Sequence, residues 1–271
     1  MADRSPPPPE ELARQVSERA ESLRAAGVSL LPASTPLTLP VVPAAAAPAA
    51  APAAPAVTHP TIPADLFGEV MVPVVLPVEQ RRAELQALRQ RVAACARCPH
   101  LAATRTQTVF GVGPLDPELC FVGEAPGADE DRQGEPFVGA AGQLLTRIIT
   151  AMGMKREDVF ICNVLRCRPP NNRTPSAEEA HNCREYLERT LELVRPKFIC
   201  ALGSSAAQHL LGTASSIGRL RGRFHKYQDI PVLCTYHPAF LLPSRSPEKK
   251  KDVWEDMKLL LTKMGRPIPG K

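Results

Sequence analysis

From residue 79 onward, short apolar runs alternate with longer stretches whose apolar residues recur at helical spacing. Four runs have the length and composition of buried strands, and they lie at residues 119–122, 159–162, 198–202 and 232–235. Helical spacing recurs between and around them, at residues 80–94, 140–152, 176–194, 204–211 and 249–264. Strands that alternate with helices form parallel sheets covered on both faces. We therefore predict an α/β fold of three αβα layers around a mostly parallel, four-stranded central sheet.

The N-terminal residues have a different composition. Half of the 30 prolines lie in residues 1–80, residues 44–56 are almost entirely Ala and Pro, and Phe67 is the one aromatic residue there. Such a segment cannot bury enough apolar surface to offset the entropy lost on ordering. We predict a disordered Pro/Ala-rich tail and linker over residues 1–78 and one folded domain over residues 79–271. A short helix at residues 10–26 would be marginal in isolation, and we favour no stable element there.

Charge follows the same division, because residues 1–80 carry a net charge of −4 and residues 81–271 a net charge of +9. A basic folded domain favours a polyanionic partner such as DNA or RNA, although many soluble domains are mildly basic. The sequence has no run of 18 apolar residues and no apolar segment of a secretory signal near its start. We therefore expect a cytoplasmic protein without a membrane partner, whose cysteines remain reduced.

The eight cysteines fall into two groups. Four lie inside the apolar strand runs and are best interpreted as small core residues: Cys120, Cys162, Cys200 and Cys234. The other four lie outside the strands and beside arginines, which favour thiolates: Cys95, Cys98, Cys167 and Cys183. Four thiolates suit either Zn²⁺ or an iron–sulfur cluster, and the pattern alone indicates a metal site without identifying the metal.

Polar and Gly/Pro-rich residues follow each predicted strand, at residues 123–127, 163, 203–205 and 236–238. Ligands of open α/β sheets bind at the carboxyl ends of the strands, so we expect a site there. The loop after the first strand is long and carries acidic residues beside Phe137, which is typical of a functional loop. It matches neither the G-x-G-x-x-G fingerprint nor a Walker loop, which argues against a nucleotide cofactor.

Several residues near these strand ends suit contact with DNA. Arginines on a Pro/Asn loop suit phosphate contact, and they are Arg166, Arg168 and Arg173. Ser204 opens a helix whose N-terminal amides can hold a phosphate. Phe240 and Leu241 belong to an apolar run between prolines that we expect to be exposed and to enter a base stack.

The residues named at the strand ends occur in four motifs: GEAPGADEDRQGEPFVGAAGQLL, CNVLRCRPPNNRTP, ALGSSAAQHLLG and TYHPAFLL. Together these motifs, from about residue 85 to residue 261, resemble the family 4 (iron–sulfur) uracil-DNA glycosylases of the uracil-DNA glycosylase superfamily. The resemblance implies a uracil-DNA glycosylase-like fold and a [4Fe–4S] cluster on Cys95, Cys98, Cys167 and Cys183. It implies a base excision repair enzyme that flips uracil from single- or double-stranded DNA and leaves an abasic site. The motifs place no lysine as a nucleophile, so we expect a monofunctional glycosylase.

The resemblance also implies roles for the residues at the strand ends. Phe137 resembles the aromatic residue that stacks on the flipped uracil, Asn163 the amide that reads its polar edge, and His237 the histidine that stabilises the departing O2. Taken alone, a strand-end Asn or His is more often structural. The backbone around Gly123 and Ala125 is implied to line the pocket.

The carboxylates are less specific. The resemblance allows Glu130 either to position water or to crowd the C5 methyl of thymine, and leaves both roles open. Ala125 occupies a position at which other branches have an Asp that acts on water, so we expect catalysis to depend on stabilising the leaving group. Glu124 and Glu130 are candidates to support positive charge on the sugar.

Two other interpretations remain at this stage. One is a non-catalytic iron–sulfur module of the same fold that binds nucleic acid, and the other is a zinc-stabilised hydrolase. We expect a monomer, with a protein partner for the N-terminal tail as a guess from composition.

Overall fold

The computed structural model describes residues 76–242 and 247–270. The predicted helix at residues 10–26 and all but the last three residues of the predicted tail lie outside these residues. The described chain begins with α1 (Val78–Ala93) and α2 (Pro99–Thr104), then β1 (Leu119–Gly123), α3 (Ala128–Gln133), α4 (Ala140–Ala151) and β2 (Phe160–Asn163). It continues through α5 (Ala177–Val194), β3 (Phe198–Leu202), α6 (Ser204–Leu211), α7 (Ile217–Leu220), β4 (Phe224–Tyr227), β5 (Ile230–Thr235) and α8 (Pro247–Met264). Single 3₁₀ turns lie at Arg156–Asp158, Pro170–Asn172 and Pro238–Leu241.

Within the described residues, five strands form one sheet in the order β2-β1-β3-β5-β4. β1 pairs in parallel with β2 and β3, and β3 pairs in parallel with β5. The prediction of a mostly parallel α/β sheet is confirmed, but the predicted count of four strands was one too low. The fifth strand, β4, is a short antiparallel edge strand, Phe-His-Lys-Tyr, and none of its residues is fully buried. Its basic residues hide the apolar signal that marks a buried strand, and charged residues are common on edge strands.

Helices pack on both faces of the sheet because the parallel strands are buried on both sides. On one face, Val122 and Phe160 pack with residues of α1, α5 and α6. On the other face, Phe121 and Ile161 pack with residues of α4 and α8. Alternate residues of a strand therefore contact different helix layers, as the pleat requires. This arrangement confirms the three-layer αβα prediction and leaves the carboxyl ends of the strands open at one edge.

The four strand cysteines are fully buried, as predicted. Burial raises the pKa of the Cys234 thiol to about 12 and raises the pKa of Cys200 as well, so these thiols stay protonated. Cys200 and Cys234 therefore act as small apolar side chains in the core.

None of the helices in the described part of the chain combines the length and apolar character that crossing a bilayer requires.

Candidate functional site

A cavity of about 320 Å³ opens at the carboxyl ends of β1, β2 and β5. Seven predicted site residues line it: Glu124, Ala125, Glu130, Phe137, Asn163, Arg173 and His237. The topology explains this gathering, because parallel strands deliver the residues that follow them to the same edge of the sheet. The sheet edge thus brings together residues from positions 124 to 237 in a single pocket.

Asn163 is the last residue of β2, and its side chain is 1% exposed. Its Oδ1 is buried and has no hydrogen-bond partner among the described residues. Buried polar atoms are nearly always satisfied, so an unsatisfied one that faces a cavity indicates a position for a ligand or water. Gly123, its register partner on β1, makes room for it, because a Cβ there would lie 2.4 Å from Oδ1 of Asn163.

Phe137 has a backbone φ of 56°, in the left-handed region that bulky residues rarely adopt. Such a conformation costs about 1–3 kcal/mol and persists only where surrounding contacts enforce it. The ring centroid of Phe137 lies 5.6 Å from that of His237, with 34° between the ring planes. A Cβ on Gly142, in the first turn of α4, would lie 1.8 Å from the carbonyl oxygen of Phe137. The strained backbone of Phe137 can therefore pack against α4 only because residue 142 is a glycine. This backbone directs the ring of Phe137 into the cavity.

His237 follows β5 and begins the 3₁₀ turn Pro238–Leu241. Its Nδ1 accepts a hydrogen bond of 3.2 Å from the backbone N–H of Ala239. Burial lowers the pKa of His237 to about 4, although the nearby Glu130 opposes this effect. The ring is therefore neutral near pH 7, and the acceptor role of Nδ1 places its single proton on Nε2. A neutral imidazole with a fixed Nε2–H is a donor suited to an oxygen that gains negative charge.

Both carboxylate oxygens of Glu130 are engaged by the backbone. Oε1 accepts hydrogen bonds of 2.9 Å from the N–H groups of Val138 and of Gly139, and Oε2 accepts one of 3.1 Å from Gly127. The side chain therefore joins the two ends of the loop that carries Phe137. Its charge faces the cavity, but its position is set by the loop.

Glu124 is half-buried at the end of β1. Burial raises its pKa, while the nearby Ser205 hydroxyl and His209 oppose this effect. Glu124 thus supplies a second carboxyl group to the cavity wall. Its pKa is raised by burial, whereas the carboxylate of Glu130 accepts hydrogen bonds from backbone N–H groups.

Two of the residues predicted to contact DNA are buried. Arg166 is 1% exposed, and its guanidinium donates hydrogen bonds to the carbonyl of Phe110 and to Oγ1 of Thr190. Leu241 is 2% exposed and packs in the core. The sequence does not reveal whether the side chain of an arginine in a loop, or of a leucine between prolines, points inward or outward. Here both side chains point inward, that of Arg166 to the carbonyl of Phe110 and to Thr190 on α5, and that of Leu241 to the layer of α4 and α8.

The remaining DNA-contact candidates lie at the surface. Arg168 is half-buried and donates to Oδ1 of Asn172, and Ser204 is exposed at the first residue of α6. Phe240 is 42% exposed, and its ring lies 5.8 Å from that of Tyr236 in a stacked arrangement. Their contact with DNA stays a prediction.

Arg173 lines the cavity and forms an ion pair with Glu179, which is 1% exposed. Hydrogen bonds from Arg173, with others from Ser176 and His100, hold the pKa of Glu179 at about 2. Sequence reasoning missed Glu179, although Ser176 and Glu179 have the spacing of a capping box, which the structure contains at the start of α5. The ion pair fixes the Pro169–Arg173 side of the cavity wall to the first turn of α5.

The four remaining cysteines lie in one neighbourhood between α1, α2 and α5. Cys167 and Cys183 are buried, whereas Cys95 and Cys98 are half-buried, and no cysteine of the described chain is in a disulfide. Burial raises the pKa of Cys167, and negative charge on Cys95 and Cys98 would raise it further, so the three thiols lie close enough to interact. Burial likewise raises the pKa of Cys183 to about 11, and Cys167 and Cys98 add to this effect.

Two donors point at these sulfurs. Arg105, which sequence reasoning missed, donates a hydrogen bond of 3.1 Å to Sγ of Cys167 and another to the carbonyl of Cys95. Nδ2 of Asn182 lies 3.6 Å from Sγ of Cys98. Donors of this kind stabilise thiolate ligands. Among the described residues, no three His, Cys, Asp or Glu side chains converge closely enough to hold one metal ion.

Comparison with known proteins adds independent information. The model of a family described as the uracil DNA glycosylase superfamily matches residues 110–258. The chain is 44% identical over 175 residues to a type-4 uracil-DNA glycosylase of Thermotoga maritima, covering 64% of this chain and 91% of the relative. It is 42% identical over 193 residues to a type-4 uracil-DNA glycosylase of Archaeoglobus fulgidus, covering 68% and 96%. A type-5 uracil-DNA glycosylase of Pyrobaculum aerophilum is 31% identical over 181 residues, covering 55% and 80%.

Proposed function

The chain belongs to the uracil-DNA glycosylase superfamily, and on this basis we propose that it acts as a type-4 enzyme, which hydrolyses the N-glycosidic bond of uracil in DNA. One structural observation carries the assignment of the site. Oδ1 of Asn163 is buried without a partner in a cavity that also holds the ring of Phe137 and the imidazole of His237. An amide, an aromatic face and a neutral imidazole donor match the chemistry of a flipped pyrimidine.

Recognition of the base follows from these groups. Uracil presents an N–H donor at N3 and carbonyl acceptors at O4 and O2. Oδ1 of Asn163 would accept from N3–H while Nδ2 donates to O4, a pairing that cytosine, with an acceptor at N3 and a donor at C4, does not offer. Phe137 would cover one face of the ring, since its centroid lies on the cavity wall beside His237.

Bond cleavage depends on charge in this proposal. As the glycosidic bond breaks, negative charge grows on O2 of uracil and positive charge on the sugar. Nε2–H of His237 donates to O2, and its fixed orientation means that no reorganisation is needed during the reaction. Ala125 has no side chain that could act as a base on water. The carboxyl groups of Glu130 and Glu124 supply the negative charge that stabilises the sugar cation. Water then adds to C1′ of the sugar and loses a proton, and the departing uracil anion takes up a proton, which leaves free uracil and an abasic site.

We also propose that Cys95, Cys98, Cys167 and Cys183 hold a [4Fe–4S] cluster. The chemistry of the donor set fits, because four free thiols lie in one half-buried neighbourhood with N–H donors directed at two of them. A zinc ion would require sulfurs about 2.3 Å from a single centre, whereas a four-iron cluster takes one cysteine per iron and a wider arrangement. When bound, the cluster would join the segments before α2, after β2 and within α5. The proposed role is structural, because none of the four cysteines lines the cavity that holds the groups assigned to uracil.

The activity is tested with a single-stranded oligonucleotide that contains one uracil. After incubation, alkali should cleave the strand at the uracil position and leave a thymine-containing strand intact. The Asn163→Ala variant should lose most of this activity while keeping the absorption of the wild-type protein near about 400 nm. A folded protein that binds the oligonucleotide but releases no uracil would instead be a non-catalytic binding module. A colourless anaerobic preparation with stoichiometric zinc would overturn the cluster assignment.

A further inference from the structure

The backbone on either side of Phe137 is held by two charged side chains. On the C-terminal side, Oε1 of Glu130 accepts hydrogen bonds from Val138 and Gly139. On the N-terminal side, the guanidinium of Arg156 donates a hydrogen bond of 2.6 Å to the carbonyl of Pro136. The residue with the left-handed φ of 56° therefore lies between two anchors of opposite charge.

Arg156 reaches this carbonyl from a separate element. It is the first residue of the 3₁₀ turn Arg156–Asp158, between α4 and β2, and it is half-buried. Its second guanidinium nitrogen donates a hydrogen bond of 3.2 Å to Oγ1 of Thr146 on α4. Arg156 is absent from the cavity wall, so it cannot contact uracil itself. Its two hydrogen bonds fix the Pro136 carbonyl relative to α4, whose Gly142 packs against Phe137.

We propose that Arg156 is a positioning residue for uracil recognition, holding the Pro136 carbonyl so that Phe137 keeps its strained conformation and its ring stays in the cavity. The proposal rests on the proposed function for the identity of the base. A bulky residue at positive φ relaxes unless its neighbours enforce that geometry, and Arg156 supplies the enforcing contact on the side that Glu130 does not reach. Without it, the ring would leave the position from which it stacks on the base, although DNA contacts elsewhere would remain.

The test is a double-mutant cycle on the single-stranded uracil oligonucleotide. Arg156→Gln should lower kcat about tenfold with little change in KM, because misplacement of a stacking group affects the flipped base more than the bound strand. Arg156→Lys keeps one donor for the Pro136 carbonyl and should recover most of the loss. Arg147→Gln is the matched control, because Arg147 is exposed on α4 and makes no side-chain hydrogen bond among the described residues. It should retain the wild-type kcat.

The cycle is completed with Phe137→Ala. If Arg156 acts through Phe137, the double variant Arg156→Gln/Phe137→Ala should be no more than about twofold slower than Phe137→Ala alone. Fully multiplicative losses would overturn the proposal, because they would show that Arg156 acts independently of the ring.

A second measurement does not need catalysis. Calorimetric titration with free uracil should show weaker binding in Arg156→Gln and in Phe137→Ala, by a similar factor, and no further weakening in the double variant. If Arg156→Gln bound uracil with the wild-type affinity, the proposal about Arg156 would be overturned even if the wild-type protein excises uracil. Absence of excision by the wild-type protein, with uracil binding that responds to Arg156, would contradict the proposed function alone.

Discussion

Gly123 and Asn163 are register partners at the carboxyl ends of neighbouring parallel strands, and the missing side chain of the first leaves the space that the amide of the second occupies. A Cβ on Gly123 would lie 2.4 Å from Oδ1 of Asn163 and 2.5 Å from Cζ of Phe137. A single methyl group at this position would therefore displace both groups that we assign to the base.

Gly123→Ala should lower kcat for uracil excision by about a hundredfold or more, because the amide and the ring must both move. Binding of the oligonucleotide should change by less than about threefold, since the residues predicted to contact the DNA backbone lie elsewhere. Gly218→Ala is the matched control, because a Cβ there meets no atom within 4 Å. Steady-state kinetics and fluorescence anisotropy measure the two effects. Excision by Gly123→Ala at the wild-type rate would exclude the proposed placement of the base.

The lowered pKa of His237 predicts the response to acid. Its pKa in the folded protein is about 4, below the ordinary value of 6.5, so the ring stays neutral well below pH 6.5. The kcat for excision should therefore not fall through protonation of His237 between about pH 7.5 and about pH 5. A pH profile of the wild type and of His237→Asn measures this. An acidic limb near about pH 6.5 that disappears in His237→Asn would contradict the neutral-donor assignment.

The lowered pKa of His237 also makes the stability of the folded protein depend on pH. The unfolded chain takes up a proton on His237 below pH 6.5, whereas the folded protein resists it until about pH 4. Protonation therefore favours unfolding progressively as the pH falls through this window. His237→Asn should lose less stability over the same range, measured by thermal unfolding at several pH values.

Arg166 and Arg168 should respond in different ways to replacement by alanine. Arg166→Ala removes hydrogen bonds from the buried carbonyl of Phe110 and from Thr190, and should cost roughly 3 kcal/mol of unfolding free energy. Arg168→Ala should change stability by less than about 0.5 kcal/mol and reduce the salt dependence of DNA binding by about one ion. Urea unfolding and binding at several salt concentrations separate the two. Equal stability of the two variants would contradict the buried role of Arg166.

Arg105 should matter for retention of the proposed cluster. Its guanidinium contacts Sγ of Cys167 and the carbonyls of Ala93 and Cys95, so it links two of the segments that carry ligands. Arg105→Gln should lower the iron content per chain after anaerobic purification and speed the loss of absorption near about 400 nm in air, by about threefold or more. Arg91→Gln, an exposed arginine on α1 without a side-chain hydrogen bond among the described residues, is the control. Equal iron content in both variants would show that Arg105 does not help to retain the proposed cluster.

The sequence predicted those features that periodicity and topology determine. The buried strands and the long helices have strong apolar signals, and parallel pairing then brings Gly123, Asn163 and His237 to one sheet edge. The strand β4 was missed because none of its residues is fully buried and two are basic, so its pairing depends on the neighbouring β5. Local sequence carries little information about an element that is stabilised by one partner strand.

Side-chain direction and distant contacts were beyond the sequence. Arg166 and Arg168 are two residues apart in one loop, yet Arg166 is buried and Arg168 donates a hydrogen bond to Asn172. The contact between Arg156 and the carbonyl of Pro136 joins residues 20 positions apart and carries no periodic signal. The motifs identified the residues that resemble those touching the base, whereas a residue that holds them in place, such as Arg156, was identified only from the structure.

The left-handed backbone of Phe137 has a consequence for how the enzyme would select its targets. Contacts within the protein, from Glu130, Arg156 and Gly142, hold the ring in the cavity, so the shape of the pocket depends on the protein itself and not on a bound base. The rearrangement that precedes chemistry would then fall almost entirely on the nucleic acid. Turnover at different sites should follow how easily each uracil leaves its helical stack, so that melted, mismatched and transiently open stretches of the genome are searched first.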